Sequence, residues 1–228
     1  MIEIVNKPDI KTLLLFGFIL LPILYLGYKD QFLLIFYLVL IIMLFFSIFE
    51  IPIPGYSIRT RKPNYKRGEA QILSEIYSIP LEKDLFQKNA RVFNTIITLN
   101  IGGFVVPILF ALYLIVSNPN TALAALEILM IMVVATHLLS EIKAGIGIIV
   151  PTYIGLLAIP FVYILAPNYI AEVMFISSVT GILIGIVSML FTINESTYGS
   201  ARINLGGTGS FKAVYVASLI SILIYLKV

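Results

Sequence analysis

The chain contains no cysteine and no tryptophan, and it has a single histidine, His137. The absence of cysteine excludes disulfides, thiolate metal ligands and cysteine nucleophiles. A single histidine excludes histidine-rich metal sites and any mechanism that needs two imidazoles, so we expect neither a metal site nor a cofactor. Charged residues are scarce too, at 12% of the chain, whereas about a quarter is usual in soluble domains.

Apolar residues make up 60% of the 228 residues, and the mean hydropathy is +1.03. A soluble domain of this size exposes too much surface to hide so many apolar side chains. We therefore predict an all-α, multi-pass bundle of transmembrane helices in the cell membrane, forming one domain over residues 1–228. Because about 20 apolar residues cross a bilayer, the chain divides into seven predicted spans. They cover residues 12–28, 31–49, 95–116, 121–139, 144–166, 169–193 and 211–226.

Eight of the fifteen Lys and Arg residues lie in one polar stretch, residues 50–94, called here the basic loop. With this loop in the cytoplasm, thirteen basic residues lie inside and two, Lys29 and Lys227, lie outside. The positive-inside rule then places the N-terminus inside. The C-terminus lies outside if the last segment crosses the membrane, and inside if that segment re-enters. Such a loop favours the bilayer and its anionic head groups as partners, not nucleic acid.

Part of the basic loop has helical periodicity. Ala70, Ile72, Leu73, Ile76 and Tyr77 are spaced so that they share one face of a helix. This pattern favours a short amphipathic helix on the inner membrane surface. A small β element or an irregular loop remains an equal alternative.

Three glycine-rich segments, residues 100–107, 145–151 and 204–210, lie within or just before the first part of a predicted span that runs from inside to outside. Helices that start beside glycines can point unpaired N–H groups at a shared polar site, as in many transporters. The alternative is close packing between helices, for which glycine is also suited. The candidate binding residues are Asn100, Gly102, Gly103, Gly145, Gly147, Asn204, Gly206, Gly207, Gly209 and Lys212.

Ionisable side chains inside predicted spans are costly and therefore candidates for function. Glu127 lies about two turns into the fourth span, and if it is buried there it is the best proton-carrying candidate in the sequence. His137 and Glu141 are four residues apart, so we expect them to share a helix face, where they can pair. The alternative is a cluster of charges at the membrane interface that includes Lys143.

A stripe of small residues marks the sixth span. Ser177, Gly181 and Gly185 are spaced four apart and predict a packing seam against a neighbouring helix.

Known catalytic signatures are absent from the sequence. Gly-x-Ser-x-Gly, His-Glu-x-x-His and Walker patterns do not occur. The three aspartates, Asp9, Asp30 and Asp84, all lie outside the predicted spans, which excludes a pair of acids facing each other in the bilayer. We therefore assign no catalytic residue.

The motifs together resemble a prokaryotic family of polytopic membrane proteins catalogued as a domain of unknown function, number 1614. The resemblance runs from about Asn94 to the C-terminus and implies a polytopic helical fold without an established activity. Where the family pattern has acidic residues, this chain has Val187 and Lys212. The motifs that carry the resemblance are Asn100-x-Gly-Gly103 with Pro107, Gly145-x-Gly-Ile148 with Pro151, Ala166-Pro167, Gly181-Ile-Leu-Ile-Gly185 and Gly206-Gly207-x-Gly209-x-Phe211.

Three functions are compatible with these patterns. The favoured one is a permease for a small solute or ion, with a cytoplasm-facing site at the glycine-rich segments and a preference for anions from Lys212 and Arg202. The second is a membrane scaffold or assembly protein that uses the basic loop. The third and least favoured is an enzyme that acts on a lipid-linked substrate with Glu127, His137 or Glu141 as acid or base. Association with further copies of the chain stays open.

Overall fold

The computed structural model describes residues 10–27, 30–86 and 92–226. Lys7, Lys29, Lys88, Arg91 and Lys227, which count in the charge tally, lie outside these residues. The helices are α1 (Ile10–Gly27), α2 (Gln31–Phe46), α3 (Arg67–Tyr77), α4 (Leu81–Phe86), α5 (Val106–Ser117), α6 (Ala122–Leu139), α7 (Ile159–Leu165), α8 (Ile170–Leu190) and α9 (Phe211–Tyr225). The strands are β1 (Glu50–Arg61), β2 (Val92–Asn100), β3 (Glu141–Lys143), β4 (Gly147–Ile149) and β5 (Arg202–Leu205).

The described chain is mostly helical, and two of its helices are long and apolar enough to cross a membrane. One is Pro119–Leu139, which is α6 with the turn before it, and the other is Ile170–Leu190, which is α8. Five further apolar helices have 10 to 17 residues each. The mostly helical character predicted from composition is therefore confirmed, with two candidate membrane-spanning helices, while the seven spans and their orientation stay a prediction.

The prediction of an all-α chain is wrong, because strands replace parts of two predicted spans. Residues 95–100 of the third predicted span belong to β2, and a π-helical turn, Ile101–Val105, leads from β2 into α5. The predicted span 144–166 contains β4, a 3₁₀ turn over Ile154–Ala158 and then α7. In β2 the buried residues Phe93, Thr95 and Ile97 alternate with exposed ones, which is the period of a strand.

The described part of the basic loop forms regular secondary structure. β1 pairs with β2 in antiparallel register from Glu50 opposite Asn100 to Arg61 opposite Val92, with an irregularity between Pro52 and Ser57. β2 then pairs in parallel with β5, so the sheet order is β1-β2-β5. The helix predicted around Ala70 is confirmed as α3, and its position at the membrane surface stays a prediction.

Helix α8 lies at the centre of the hydrophobic core and packs along α6. A Cβ built on Gly181 would lie 2.5 Å from the Met132 Cβ, and one on Gly185 would lie 2.5 Å from the Thr136 Cβ. The glycines therefore let α6 and α8 approach closely, as the stripe of small residues predicts. Ser177 faces inward but bonds within its own helix, to the carbonyl oxygen of Val173.

Candidate functional site

A cavity of about 330 Å³ lies where the parallel strands β2 and β5 end and their chains turn into helices. In open sheets with parallel strands, this carboxyl edge is where ligands usually bind. The wall contains residues from α1, from the sheet, from the end of α3 and from the start of α9. The lining residues are Thr12, Leu13, Ser47, Ile48, Glu50, Ile76, Tyr77, Ser78, Asn100, Ile149, Val150, Thr152, Asn204, Gly207, Thr208, Gly209, Phe211 and Lys212.

The tetrapeptide Asn-x-Gly-Gly occurs at the ends of both parallel strands, as residues 100–103 and 204–207. In the first copy, the Asn100 side chain accepts a hydrogen bond from the Gly103 N–H at 2.8 Å and donates one to the Ser47 carbonyl at 2.6 Å. Asn100 therefore caps the π-helical turn and ties it to the end of α2. Only 1% of Asn100 is exposed, so these bonds fix the residue in the cavity wall.

In the second copy, the amide oxygen stays available. Asn204 is 8% exposed and lines the cavity, and its Oδ1 atom has no hydrogen-bond partner among the described residues. A buried amide oxygen without a partner is uncommon and costs stability. The same sequence motif thus serves as a cap at residue 100 and presents an unpaired acceptor at residue 204.

Three of the candidate glycines serve close backbone packing. A Cβ on Gly103 would lie 1.8 Å from the Gly206 carbonyl oxygen, and one on Gly206 would lie 2.4 Å from the Gly103 carbonyl oxygen. A Cβ on Gly102 would lie 2.1 Å from the carbonyl oxygen of Met43. These glycines bring α2, α5 and the start of α9 together, and they lie behind the cavity wall.

Gly207 and Gly209, by contrast, form part of the wall itself. Gly207 lies against the Asn204 side chain, which would be 2.1 Å from a Cβ at this position. Gly209 has a φ of +87°, which favours glycine, and its carbonyl accepts a hydrogen bond from the Val150 N–H at 2.9 Å. This bond joins the second and third glycine-rich segments.

The segment 145–151 contributes different residues from those expected. Gly145 and Gly147 lie away from the cavity; the Gly145 N–H donates to the Gly199 carbonyl at 2.8 Å. Ile149 and Val150 line the cavity in their place. The structure therefore brings Asn100, Asn204, Gly207, Gly209 and Lys212 to one cavity, and it leaves the other five candidate residues outside it.

One acidic and one basic side chain line the cavity. Glu50 is 2% exposed and accepts a hydrogen bond from the Thr98 hydroxyl at 3.0 Å, whereas Lys212 is exposed at the start of α9. Sequence reasoning missed Glu50, because it comes directly after an apolar run and was counted with the basic loop. The signal in the sequence that could have indicated Glu50 is its position directly before Ile51-Pro52, where the apolar run ends and a strand begins.

The family model described as "Protein of unknown function (DUF1614)" matches residues 44–224. This is well over half of the chain. The chain belongs to the DUF1614 family. The match begins earlier than the resemblance from about Asn94 indicated, so it includes β1 and Glu50. No curated protein and no solved structure matches the chain.

The three ionisable candidates of this DUF1614 protein lie apart from the cavity. Glu127 is exposed on α6. His137 is half-buried, and its Nδ1 atom lies 2.7 Å from the Ser188 hydroxyl. Glu141 begins β3, beyond the end of α6 at Leu139, so the expectation that it shares a helix face with His137 is wrong. Among the described residues, His, Asp and Glu side chains form no cluster of three that could hold a metal ion.

Proposed function

We propose that this DUF1614 protein is a multi-pass permease of the cell membrane that binds a small charged solute in the cavity. In this proposal the seven apolar helices, two long and five shorter, lie in the membrane. The sheet and α3 lie at the inner surface, because the basic residues of β1 and α3 favour the cytoplasmic side. The cavity then opens toward the cytoplasm, since the end of α3 forms part of its rim.

The observation that carries the proposal is the convergence of four polar features on one cavity. These are the amide oxygen of Asn204, which has no partner among the described residues, the buried carboxyl group of Glu50, the ammonium of Lys212 and the glycine-rich start of α9. The Asn204 oxygen costs stability unless a ligand satisfies it. A bound solute with a hydrogen-bond donor beside Asn204 satisfies this oxygen, and a negative group on the same solute complements the charge of Lys212.

The first prediction concerns Lys212. Lys212→Gln removes the positive charge from an exposed position, so we expect unchanged stability and a loss of anion affinity. A hydrogen bond to a charged group contributes about 1.5–3 kcal/mol, which corresponds to a roughly tenfold or larger loss. The measurement is uptake of radiolabelled inorganic phosphate, which carries both a negative charge and a hydrogen-bond donor, into proteoliposomes that contain the purified protein.

Lys83→Gln is the matched control, because Lys83 is also an exposed lysine but lies on α4, away from the cavity. We expect it to transport as the unaltered protein does. Equal uptake by both variants, or uptake equal to that of empty liposomes in all cases, contradicts the proposed site.

A further inference from the structure

The walls of the cavity are mainly apolar, although charged side chains take part in its lining. Glu50 and Lys212 each interact within the chain, so their charges alone do not select a solute. Most of the remaining wall offers a solute contact with hydrocarbon and no hydrogen bond, as in many binding pockets for organic molecules. The large apolar side chains of the lining are those of Leu13, Ile48, Ile76, Ile149, Val150 and Phe211.

Two of these apolar wall residues are held in place by the surrounding fold. The Val150 N–H donates a hydrogen bond to the Gly209 carbonyl at 2.9 Å, which fixes the backbone of this wall. The Phe211 ring stacks on the fully buried ring of Tyr215, with 5.6 Å between the ring centroids. Because these side chains are already ordered, an apolar solute contacts them without the entropic cost of ordering them.

The cavity has room for an aromatic ring and a polar group. Its volume is about 330 Å³, whereas an apolar cavity of about 150 Å³ is enough to hold a benzene molecule. The amide oxygen of Asn204, which has no partner among the described residues, is the acceptor for a donor on such a solute. Inorganic phosphate supplies a donor but leaves the apolar walls in contact with water.

We propose that the solute is an organic anion with an apolar body of about the size of a phenyl ring. The body lies against the apolar walls, and the polar end of the solute donates a hydrogen bond to Asn204. This inference rests on the proposed function, since it names the substrate class of the same site. Burial of a phenyl ring in place of a methyl group strengthens binding about tenfold, so the apolar body sets the specificity of the cavity.

The test compares phenylphosphonate with methylphosphonate as ligands of the purified full-length protein. At mildly acidic pH both carry a negative charge and a P–OH donor, and they differ only in the apolar body. Isothermal titration calorimetry in detergent, with empty micelles as the blank, measures both affinities. We expect phenylphosphonate to bind at least tenfold more tightly. Equal affinities, a preference for methylphosphonate, or no binding of either compound overturns the inference.

Ile76→Ser tests the apolar wall itself. Ile76 lines the cavity from α3 and is 62% exposed, so a serine there makes the wall less apolar without opening a void in the core. We expect phenylphosphonate to bind at least threefold more weakly, with methylphosphonate unchanged. Ile72→Ser is the matched control, because Ile72 lies one turn earlier on α3, is 58% exposed and is not among the lining residues. Equal phenylphosphonate affinities of the two variants overturn the inference.

The two proposals fail in different ways. If phosphate uptake depends on Lys212 while the two phosphonates bind equally, the permease stands and the apolar body does not. If phenylphosphonate binds preferentially and Ile76→Ser weakens it, but proteoliposomes take up neither phosphate nor phenylphosphonate, the ligand class stands and transport does not. If uptake does not respond to Lys212→Gln and neither phosphonate binds, both proposals are wrong.

Discussion

Gly103→Ala is expected to destabilise the protein severely. A Cβ at this position would lie 1.8 Å from the carbonyl oxygen of Gly206, and that oxygen belongs to backbone that is held next to the β2–β5 pairing. The chains must therefore separate, at a cost of about 3 kcal/mol or more, and we expect the melting temperature to fall by about 10 °C. Thermal unfolding in detergent, followed by far-UV circular dichroism, measures the change.

Gly17→Ala is the control for this experiment. It makes the same chemical change within α1, where no described atom lies within 4 Å of the new Cβ. The melting temperature should stay the same or rise slightly, because alanine favours a helix more than glycine does. Similar melting temperatures for the two alanine variants would show that Gly103 and Gly206 are not in close contact.

The second large effect is expected at Asn100. Asn100→Ala removes the hydrogen-bond partners of the buried Gly103 N–H and of the half-buried Ser47 carbonyl. A buried group that loses its partner costs about 1–3 kcal/mol and a half-buried one costs less, so we expect a loss of about 2 kcal/mol in the free energy of unfolding. Denaturation by sodium dodecyl sulfate in mixed micelles measures this loss.

Asn204→Ala is the matched variant in the second Asn-x-Gly-Gly motif. Because its amide oxygen has no partner among the described residues, we expect little loss of stability but weaker uptake of inorganic phosphate. A result in which the two variants lose equal stability would contradict the different roles that the structure gives to the two motifs.

The bounds of a helix could be predicted from the sequence where the whole apolar run forms that one helix. α6 and α8 begin and end within about three residues of the predicted spans, since each is bounded by turn-forming residues. The region before Asn100 was not predictable in this way. This region belongs to an apolar run, and an apolar run alone does not distinguish a strand from a helix. The β-branched side chains in it favour the strand that they form; they are Thr95, Ile96, Ile97 and Thr98.

The site was predictable only in part, for a related reason. Sequence spacing identifies glycines that need special backbone geometry, but it does not say whether they face a ligand or another backbone. Gly103 and Gly206 pack against each other, while Gly207 and Gly209 line the cavity. Glu50 joins them through the pairing of β1 with β2, a contact between residues 50 positions apart that no local pattern encodes.

The parallel pairing of β2 with β5 also means that the sheet can be completed only late in synthesis. The Thr95 hydroxyl bonds to the Ser200 carbonyl, 105 residues later in the chain. A ribosome must therefore complete α5 to α8 before β2 gains its second neighbour. Until then one side of β2 is an unpaired edge, the kind of surface that invites mispairing. The cavity is consequently completed only after β5 and the start of α9 are made, and a nascent chain that stops before residue 202 lacks that part of its wall.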